Sequence, residues 1–247
     1  MTIDVLFSNR INKDTLAVEI EGSICIVIDI IRATSTISTI LARGSTDVVV
    51  AKDKAQALAL KKENSDFLLC GEEGGLPPAG FDYGNSPLEL SGINMSGKTA
   101  ILKTTNGTVS MYGVKNAAEV YCLSLLNLDY TISLVSKKIK KTGQDLLFVC
   151  SGEGGRVAYD DVFAAGLGIK GLLAKGLKCS YSDSSKVALG SAMAENNIVD
   201  ALEKSTSARL LRGVGLGEDI GFCAQLNKYN TGAKLQQGAS NLRIIPC

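Results

Sequence analysis

Charged side chains follow an apolar, strand-like run near the start of the sequence. Residues 24–31 are rich in β-branched residues, typical of a strand buried on both faces, yet the run contains Asp29. A buried carboxylate must be paired, capped or metal-bound, because isolation in an apolar interior is costly. Arg32 comes next, and Thr34 and Ser35 open a predicted helix whose N-terminus favours anions. The segment predicts an oxyanion site, although an Asp29 bonded only to nearby amides is the simpler alternative.

Four further turns combine glycine with acids, hydroxyls or amides, and most of them follow a strand-like run. They cover residues 71–75, 80–87, 104–108 and 151–161. Carboxylates suit a divalent cation where glycine lets the backbone approach, and hydroxyls with free amides suit an oxyanion. Simpler explanations also exist, because adjacent acids are usually solvated, an Asn-Gly pair favours a tight turn, and acids cap helices. Such strand-to-turn junctions are where open α/β sheets place their ligands.

Histidine is absent from the sequence, which excludes several kinds of site. Ser-His-Asp triads, Cys-His pairs and His-ligated metal centres are ruled out, so any metal is held by oxygen, with free cysteines as the only soft option. Oxygen ligands favour magnesium, manganese or calcium. One alternative is a cysteine phosphatase, since Cys150 and Arg156 have the C-x5-R spacing. Against it, Glu153 within that loop would oppose phosphate binding, and Cys150 is then a buried structural thiol.

Strand-like and helix-like runs alternate along the chain, which predicts the α/β class. The predicted strands are residues 24–31, 47–51, 67–70, 98–103, 119–123 and 145–150. The predicted helices are residues 34–42, 53–63, 109–116, 127–141, 160–175, 183–193 and 200–211. Residues 220–247 look irregular, with one late strand near Leu242. We expect a layered α/β/α arrangement with a mixed sheet, in a single domain spanning residues 1–247.

Two strand ends carry nearly the same sequence. Residues 69–75 read LCGEEGG and residues 149–155 read VCSGEGG. An ancient duplication would explain the similarity, but so would chance, since glycine and glutamate are common. A duplication predicts two similar halves, near residues 1–125 and 126–247, packed closely with a site between them.

The overall composition points to an ordinary globular protein. Apolar residues make up 45%, charged residues 21%, and the formal net charge is +1, so no electrostatic footprint for nucleic acid is visible. The longest apolar stretch is too short to span a bilayer, and residues 1–10 lack the apolar core of a secretory signal. Seven cysteines without CxxC spacing indicate reduced thiols. We expect a cytoplasmic protein without nucleic-acid or membrane partners.

Together the motifs resemble the 2-phosphosulfolactate phosphatase family. The matching segments read VIDIIRATSTI at residues 27–37, GEE at 71–73, GFDYGNSPLE at 80–89, TTNGT at 104–108 and CSGEGGR at 150–156. The resemblance implies a magnesium-dependent acid phosphatase that releases 3-sulfolactate and phosphate on the route to coenzyme M. Its substrate carries phosphate, carboxylate and sulfonate, so several donors and a divalent cation are required.

The resemblance and the residue types together give the predicted site. The predicted catalytic residues are Asp29, Arg32, Asn106 and Arg156. The predicted substrate-binding residues are Thr34, Ser35, Asn85, Ser86, Lys103, Thr104, Thr105, Gly107, Thr108, Ser151 and Gly152. The predicted magnesium ligands are Asp29 and one of Glu72, Asp82, Glu153 or Asp161. Asp29 is either such a ligand or the nucleophile that attacks phosphorus.

Three further expectations depend on the resemblance. Lys103 stands where a threonine is expected in the family, and it would add a positive charge for the sulfonate or carboxylate. The partner is a small anionic organophosphate, and assembly into a homo-oligomer stays open. A non-catalytic sensor or carrier for phosphorylated or sulfonated acids on the same fold is the alternative function.

Overall fold

The computed structural model describes residues 1–11, 16, 18–236 and 241–247. Ten strands form one mixed sheet in the order β4-β5-β3-β10-β9-β6-β2-β7-β1-β8. The strands are β1 (Thr2–Leu6), β2 (Ile24–Ile28), β3 (Asp47–Val50), β4 (Leu68–Gly71), β5 (Thr99–Lys103), β6 (Glu119–Leu123), β7 (Leu146–Cys150), β8 (Ser180–Tyr181), β9 (Ala233–Gln236) and β10 (Arg243–Pro246).

Helices connect most of these strands. They are α1 (Ala33–Ala42), α2 (Lys54–Glu63), α3 (Pro87–Ser91), α4 (Gly107–Gly113), α5 (Leu128–Thr142), α6 (Tyr159–Ala174), α7 (Asp183–Ala194), α8 (Ile198–Glu203), α9 (Thr206–Gly213) and α10 (Glu218–Cys223). Several begin at a side chain that accepts a hydrogen bond from the first turn, such as Asp53 before α2 and Ser86 before α3.

The sheet contains two groups of parallel strands. One group is β4, β5 and β3, and the other is β6, β2, β7, β1 and β8. The antiparallel pair of β9 and β10 lies between them, because β10 pairs with β3 and β9 pairs with β6, both antiparallel. The two groups therefore run in opposite directions along one continuous sheet.

Side chains alternate between two apolar layers along the central strands. Ile24, Ile26 and Ile28 of β2 face one hydrophobic core, whereas Cys25 and Val27 face the other. A strand buried on both faces requires covering helices on both sides, which accounts for the continuous apolar run in the sequence. The predicted α/β class and the layered α/β/α arrangement with a mixed sheet are confirmed.

The largest differences from the predicted elements lie near the two chain ends. β1 was not predicted. The late strand expected near Leu242 is β10, whereas α10 and β9 lie in described residues that were expected to be irregular. β3 and β4 are equally short but form continuous apolar runs, whereas β9 reads AKLQ and lacks such a run. The predicted helix 200–211 is two helices, because Ser205 ends the first and accepts a hydrogen bond from the Ala208 amide of the second at 3.0 Å.

The two parallel groups do not follow the proposed sequence halves. β1 and β2 come from residues 1–125, yet they pair with β7 and β8 from residues 126–247. The division into halves stays a prediction, as does the single domain. No helix within the described residues is both long and apolar enough to cross a membrane.

Candidate active site

A cleft of about 210 Å³ lies where strand ends from both parallel groups meet. Asp29 follows β2, Glu72 follows β4, Thr104 follows β5 and Glu153 follows β7, so all four lie at carboxyl ends of strands. The carboxyl ends of strands are where α/β sheets bind ligands. The predicted site residues that line the cleft are Asp29, Arg32, Glu72, Asn85, Thr104, Thr105, Asn106, Gly152, Glu153 and Asp161.

Asp29 is held at the floor of the cleft by the start of α1. Its Oδ1 accepts a hydrogen bond from the Ala33 amide at 3.1 Å, and its backbone carbonyl accepts one from Thr34 Oγ1 at 2.8 Å. Its Oδ2 lies against Gly107, where a Cβ atom would come within 2.7 Å of that oxygen. Burial, with added repulsion from neighbouring acids, raises the pKa of Asp29 to about 7.

Two other acids fix the backbone of the cleft. Glu72 accepts hydrogen bonds from the amides of Gly75 at 2.9 Å and Thr105 at 2.6 Å. Asp161 accepts them from the amides of Gly152 at 3.0 Å and Ile30 at 3.1 Å. Each carboxylate therefore joins a glycine-rich turn to the end of the neighbouring parallel strand. Burial and the charges of Asp160 and Asp29 raise the pKa of Asp161.

Two further acids complete a cluster around the cleft. Glu153 accepts one hydrogen bond, from Asn106 Nδ2 to its Oε2 at 3.3 Å, and partial burial with the nearby Glu72 charge raises its pKa. Asp160 is buried and accepts a hydrogen bond from Ser207 Oγ at 3.1 Å, while its Oδ2 has no partner. Burial raises the pKa of Asp160 to about 7. The sequence had suggested only a helix cap for Asp160.

Arg32 is the cationic side chain among the described residues that line the cleft. It is 4% exposed, and its Nη1 donates to Asp219 Oδ2 at 2.8 Å while its Nη2 donates to the Gly75 carbonyl at 2.7 Å. Asp219 also accepts a hydrogen bond from Ser86 Oγ at 2.7 Å. Sequence reasoning missed Asp219; the apolar helical spacing of Leu216, Ile220 and Cys223 around it was the available signal.

Asp82, Arg156 and Lys103 were predicted as site residues, but they do not line this cleft, and their roles stay predictions. Asp82 pairs with Lys61 at 3.0 Å and accepts a hydrogen bond from the Leu69 amide at 2.8 Å, which explains its lowered pKa. Arg156 is exposed at the end of the glycine-rich turn of residues 151–156. Lys103 Nζ donates to the Glu72 carbonyl at 3.1 Å and pairs with Glu73 at 3.2 Å.

Several predicted substrate-binding residues instead support the cleft from behind. Their side chains bond to the protein or, for glycine, leave space for a neighbour, and none lines the cleft: Thr34, Ser35, Ser86, Gly107, Thr108 and Ser151. Hydroxyl groups at a helix start satisfy backbone carbonyls as readily as they bind ligands, and the sequence does not distinguish the two uses.

The cysteine-phosphatase alternative receives no support from the geometry. Cys150 is fully buried and packs in the hydrophobic core beneath the sheet. Burial and the charges of Asp161 and Asp160 raise its pKa well above the usual thiol value, so a reactive thiolate is disfavoured.

The donor set of the cleft is suited to a hard cation. The acids outnumber the single lining arginine, and the buried Asn85 Oδ1 has no hydrogen-bond partner. Within the described residues, however, no three acidic or thiol side chains already stand close enough together to hold an ion. Magnesium binds proteins through one or two carboxylates together with water and substrate phosphate, so it needs no closed protein cage.

Comparison with known proteins identifies the family of this chain. A family model described as 2-phosphosulpholactate phosphatase matches residues 10–238. A probable 2-phosphosulfolactate phosphatase of Deinococcus radiodurans is 33% identical over 219 residues, covering 88% of this chain and 90% of the relative. Proteins of the same name from Thermotoga petrophila and Caldanaerobacter subterraneus are 34% and 36% identical, covering 92% and 86% of this chain and 95% and 88% of their own lengths. The chain thus belongs to the 2-phosphosulfolactate phosphatase family and, with it, to the phosphoric monoester hydrolases.

Proposed function

We propose that the chain hydrolyses 2-phosphosulfolactate, or a related phosphorylated 2-hydroxy acid, in a magnesium-dependent reaction. The observation that carries the proposal is the charge of the cleft. Asp29, Glu72, Glu153 and Asp161 line it, and Arg32 already pairs with Asp219. A phosphorylated, sulfonated acid would be repelled from such a cleft unless a cation offset the carboxylates.

Asp29 and Glu153 are the side chains best placed to hold magnesium. Asp29 and Glu153 each line the cleft with one carboxylate oxygen, Oδ2 and Oε1, that accepts no hydrogen bond from the described residues. Both oxygens of Glu72 and of Asp161, in contrast, already accept backbone amides. Bound magnesium would neutralise charge on the transferring phosphoryl group. This leaves Glu72 and Asp161 to fix the loops, and Asp29 acts as a ligand in this proposal.

The chain's own donors orient the phosphoryl group. Arg32 has used two of its five N–H donors, on Asp219 and Gly75, so three remain for phosphoryl oxygens. Asn106 brings a side-chain amide to the opposite wall beside Glu153. The reaction breaks the bond between phosphorus and the C2 oxygen, water supplies the new oxygen on phosphorus, and the departing oxygen takes up a proton.

Phosphate release from 2-phosphosulfolactate tests the proposal. Turnover should require Mg²⁺, stop with EDTA, resume when Mg²⁺ is restored, and survive iodoacetamide. Asp29→Asn should abolish it, with Asp183→Asn on the exposed start of α7 as the matched control. Activity that persists in EDTA but ends with iodoacetamide would replace the metal mechanism with a thiol one. Tight binding without turnover would identify a sensor or carrier.

A further inference from the structure

Arg32 is fixed by a buried ion pair that links three distant parts of the chain. Arg32 precedes α1, Asp219 lies in α10, and Ser86 caps α3. The side chains of Arg32 and Asp219 are 3% and 2% exposed, and their charged atoms are 2.8 Å apart. In such a water-poor place the guanidinium loses alternative partners, so its orientation is set by the carboxylate that it contacts.

Asp219 is itself held in place by two further donors. Its Oδ1 accepts hydrogen bonds from Ser86 Oγ at 2.7 Å and from the Leu88 amide at 3.2 Å, while Oδ2 receives Arg32. Asp219 does not line the cleft, so it has no direct access to a bound substrate. Its carboxylate is therefore placed to orient Arg32 and does not contact the reacting atoms.

The second terminal nitrogen of Arg32 contacts the turn of residues 71–75, called here the first glycine turn. Arg32 Nη2 donates to the Gly75 carbonyl at 2.7 Å, and the Gly75 amide in turn donates to Glu72 at 2.9 Å. The orientation of Arg32 consequently also affects the turn that carries Glu72.

We propose that Asp219 is a positioning residue, which holds the Arg32 guanidinium toward the phosphoryl group and, through Arg32, keeps the first glycine turn closed on the cleft. The inference rests on the proposed function, because it assigns the phosphoryl contact to Arg32. It adds that a residue of α10, remote in sequence and outside the cleft, sets the efficiency of the site.

The test compares Asp219→Asn with Arg32→Ala and with the double variant. Asp219→Asn keeps the shape of the side chain but removes its charge, and it should lower kcat about 10–100-fold, as loss of orienting partners typically does. KM should change less than kcat. In the Arg32→Ala background, Asp219→Asn should lower kcat no further, because the side chain that Asp219 orients is absent. Asp183→Asn is the matched control and should leave kcat unchanged.

Guanidinium rescue separates orientation from general damage. Free guanidinium should restore part of the activity of Arg32→Ala, in which Asp219 is present. In the double variant it should restore at least about tenfold less activity. If Asp219→Asn fails to fold, Ser86→Ala removes one donor to Asp219 together with the cap of α3. It should lower kcat about threefold in the wild-type but not in the Arg32→Ala background. Independent, multiplying effects of the Arg32 and Asp219 changes would overturn the proposal.

A second measurement distinguishes failure of this inference from failure of the proposed function. Calorimetric titration with inorganic phosphate in the presence of Mg²⁺ needs no turnover. Arg32→Ala and Asp219→Asn should weaken phosphate binding to a similar degree, and the double variant should weaken it no more than Arg32→Ala alone. A wild-type protein that lacks phosphatase activity but shows this pattern would retain the inference and remove the function. Wild-type phosphate affinity in Asp219→Asn would remove the inference alone.

Discussion

The two glycine-rich turns of the cleft have nearly the same sequence and backbone, but they use their acids differently. Glu73 and Leu76 exchange backbone hydrogen bonds, as do Glu153 and Arg156, and both turns place two glycines at positive φ between them. Glu73 nevertheless points outward to Lys103 and is exposed, whereas Glu153 points into the cleft toward Asn106. The same turn thus supplies an ion pair to the buried Lys103 in one place and a candidate metal ligand in the other.

The carboxylates that anchor the two turns come from different parts of the chain. In the first turn Glu72 joins the Gly75 and Thr105 amides, and in the second Asp161 of α6 joins the Gly152 and Ile30 amides. The residue that corresponds to Glu72 in the second turn is Gly152. A short sequence repeat therefore predicts backbone geometry better than it predicts which residue does the chemistry.

The largest expected effect concerns Gly152. It has φ +67°, and a Cβ there would lie 2.2 Å from the Arg156 carbonyl oxygen. Gly152→Ala should lower the free energy of unfolding by at least about 3 kcal/mol, since backbone strain and a backbone clash add. Gly154 has φ +57° and open space where a Cβ would lie, so Gly154→Ala should lower the free energy of unfolding by about 1 kcal/mol from backbone strain alone. Urea unfolding of the two variants measures the difference; equal losses would show that the turn can shift to accommodate a side chain.

The next effect separates the two equivalent glutamates. Glu153→Gln should lower kcat for phosphate release about 100-fold, because a ligand that helps offset phosphoryl charge accounts for several kcal/mol. Glu73→Gln, at the same position of the other turn, should change kcat less than about twofold, because Glu73 is half exposed and does not line the cleft. Similar losses for both variants would mean that the outward and inward orientations do not matter to turnover.

A stability effect of pH follows from the buried Asp29. Its pKa is raised to about 7 in the folded protein from 3.8, so the native state keeps its proton longer than the unfolded chain. Without a cation, stability should fall as the pH rises from about 4 to about 7. In EDTA at pH 8, Asp29→Asn should raise stability by about 2 kcal/mol, or Tm by about 4–8 °C. The stability gained by Asp29→Asn relative to the wild-type protein should be smaller at pH 4.5, and smaller in Mg²⁺ than in EDTA. A gain that does not vary with pH would show that it comes from packing.

The smallest effect concerns Lys103. Its Nζ contacts the Glu72 carbonyl and Glu73, so it is placed to brace the first turn rather than to bind a sulfonate. Lys103→Ala should change kcat/KM less than about fivefold, and equally for phosphosulfolactate and phosphoglycolate. A KM increase confined to the sulfonated substrate would restore the role expected from the sequence.

Sequence periodicity was sufficient for the buried core elements and insufficient for the pairings at the chain ends. The strand that contains Ile24 and the helix that follows were predictable because burial on both faces leaves a long apolar signal. β9 and β10 are short and pair with strands that are distant in sequence, so their local residues carry little information. Only tertiary context determines such strands.

Candidate residues were predictable at the ends of strands but their orientations were not. Asp29, Glu72 and Glu153 line the cleft as expected, while Asp82 follows the same kind of turn yet pairs with Lys61. Asp219 was missed because its partner Arg32 lies at the other end of the chain. The composition of the motifs indicates where a site forms, and the bonding partners of each side chain decide which candidate residues line it.

The β9–β10 pair that joins the two parallel groups has a consequence for biosynthesis. β10 follows the other nine strands of the described residues, so until it has left the ribosome β3 has no partner on its β10 side. In the same way, β6 has no partner on its β9 side until β9 has been made. Both open edges are apolar, with the sequences DVVV and EVYCL, and such edges attract other chains. A nascent chain therefore exposes these two edges until β9 and β10 have emerged, and cellular yield should depend on chaperones that shield them.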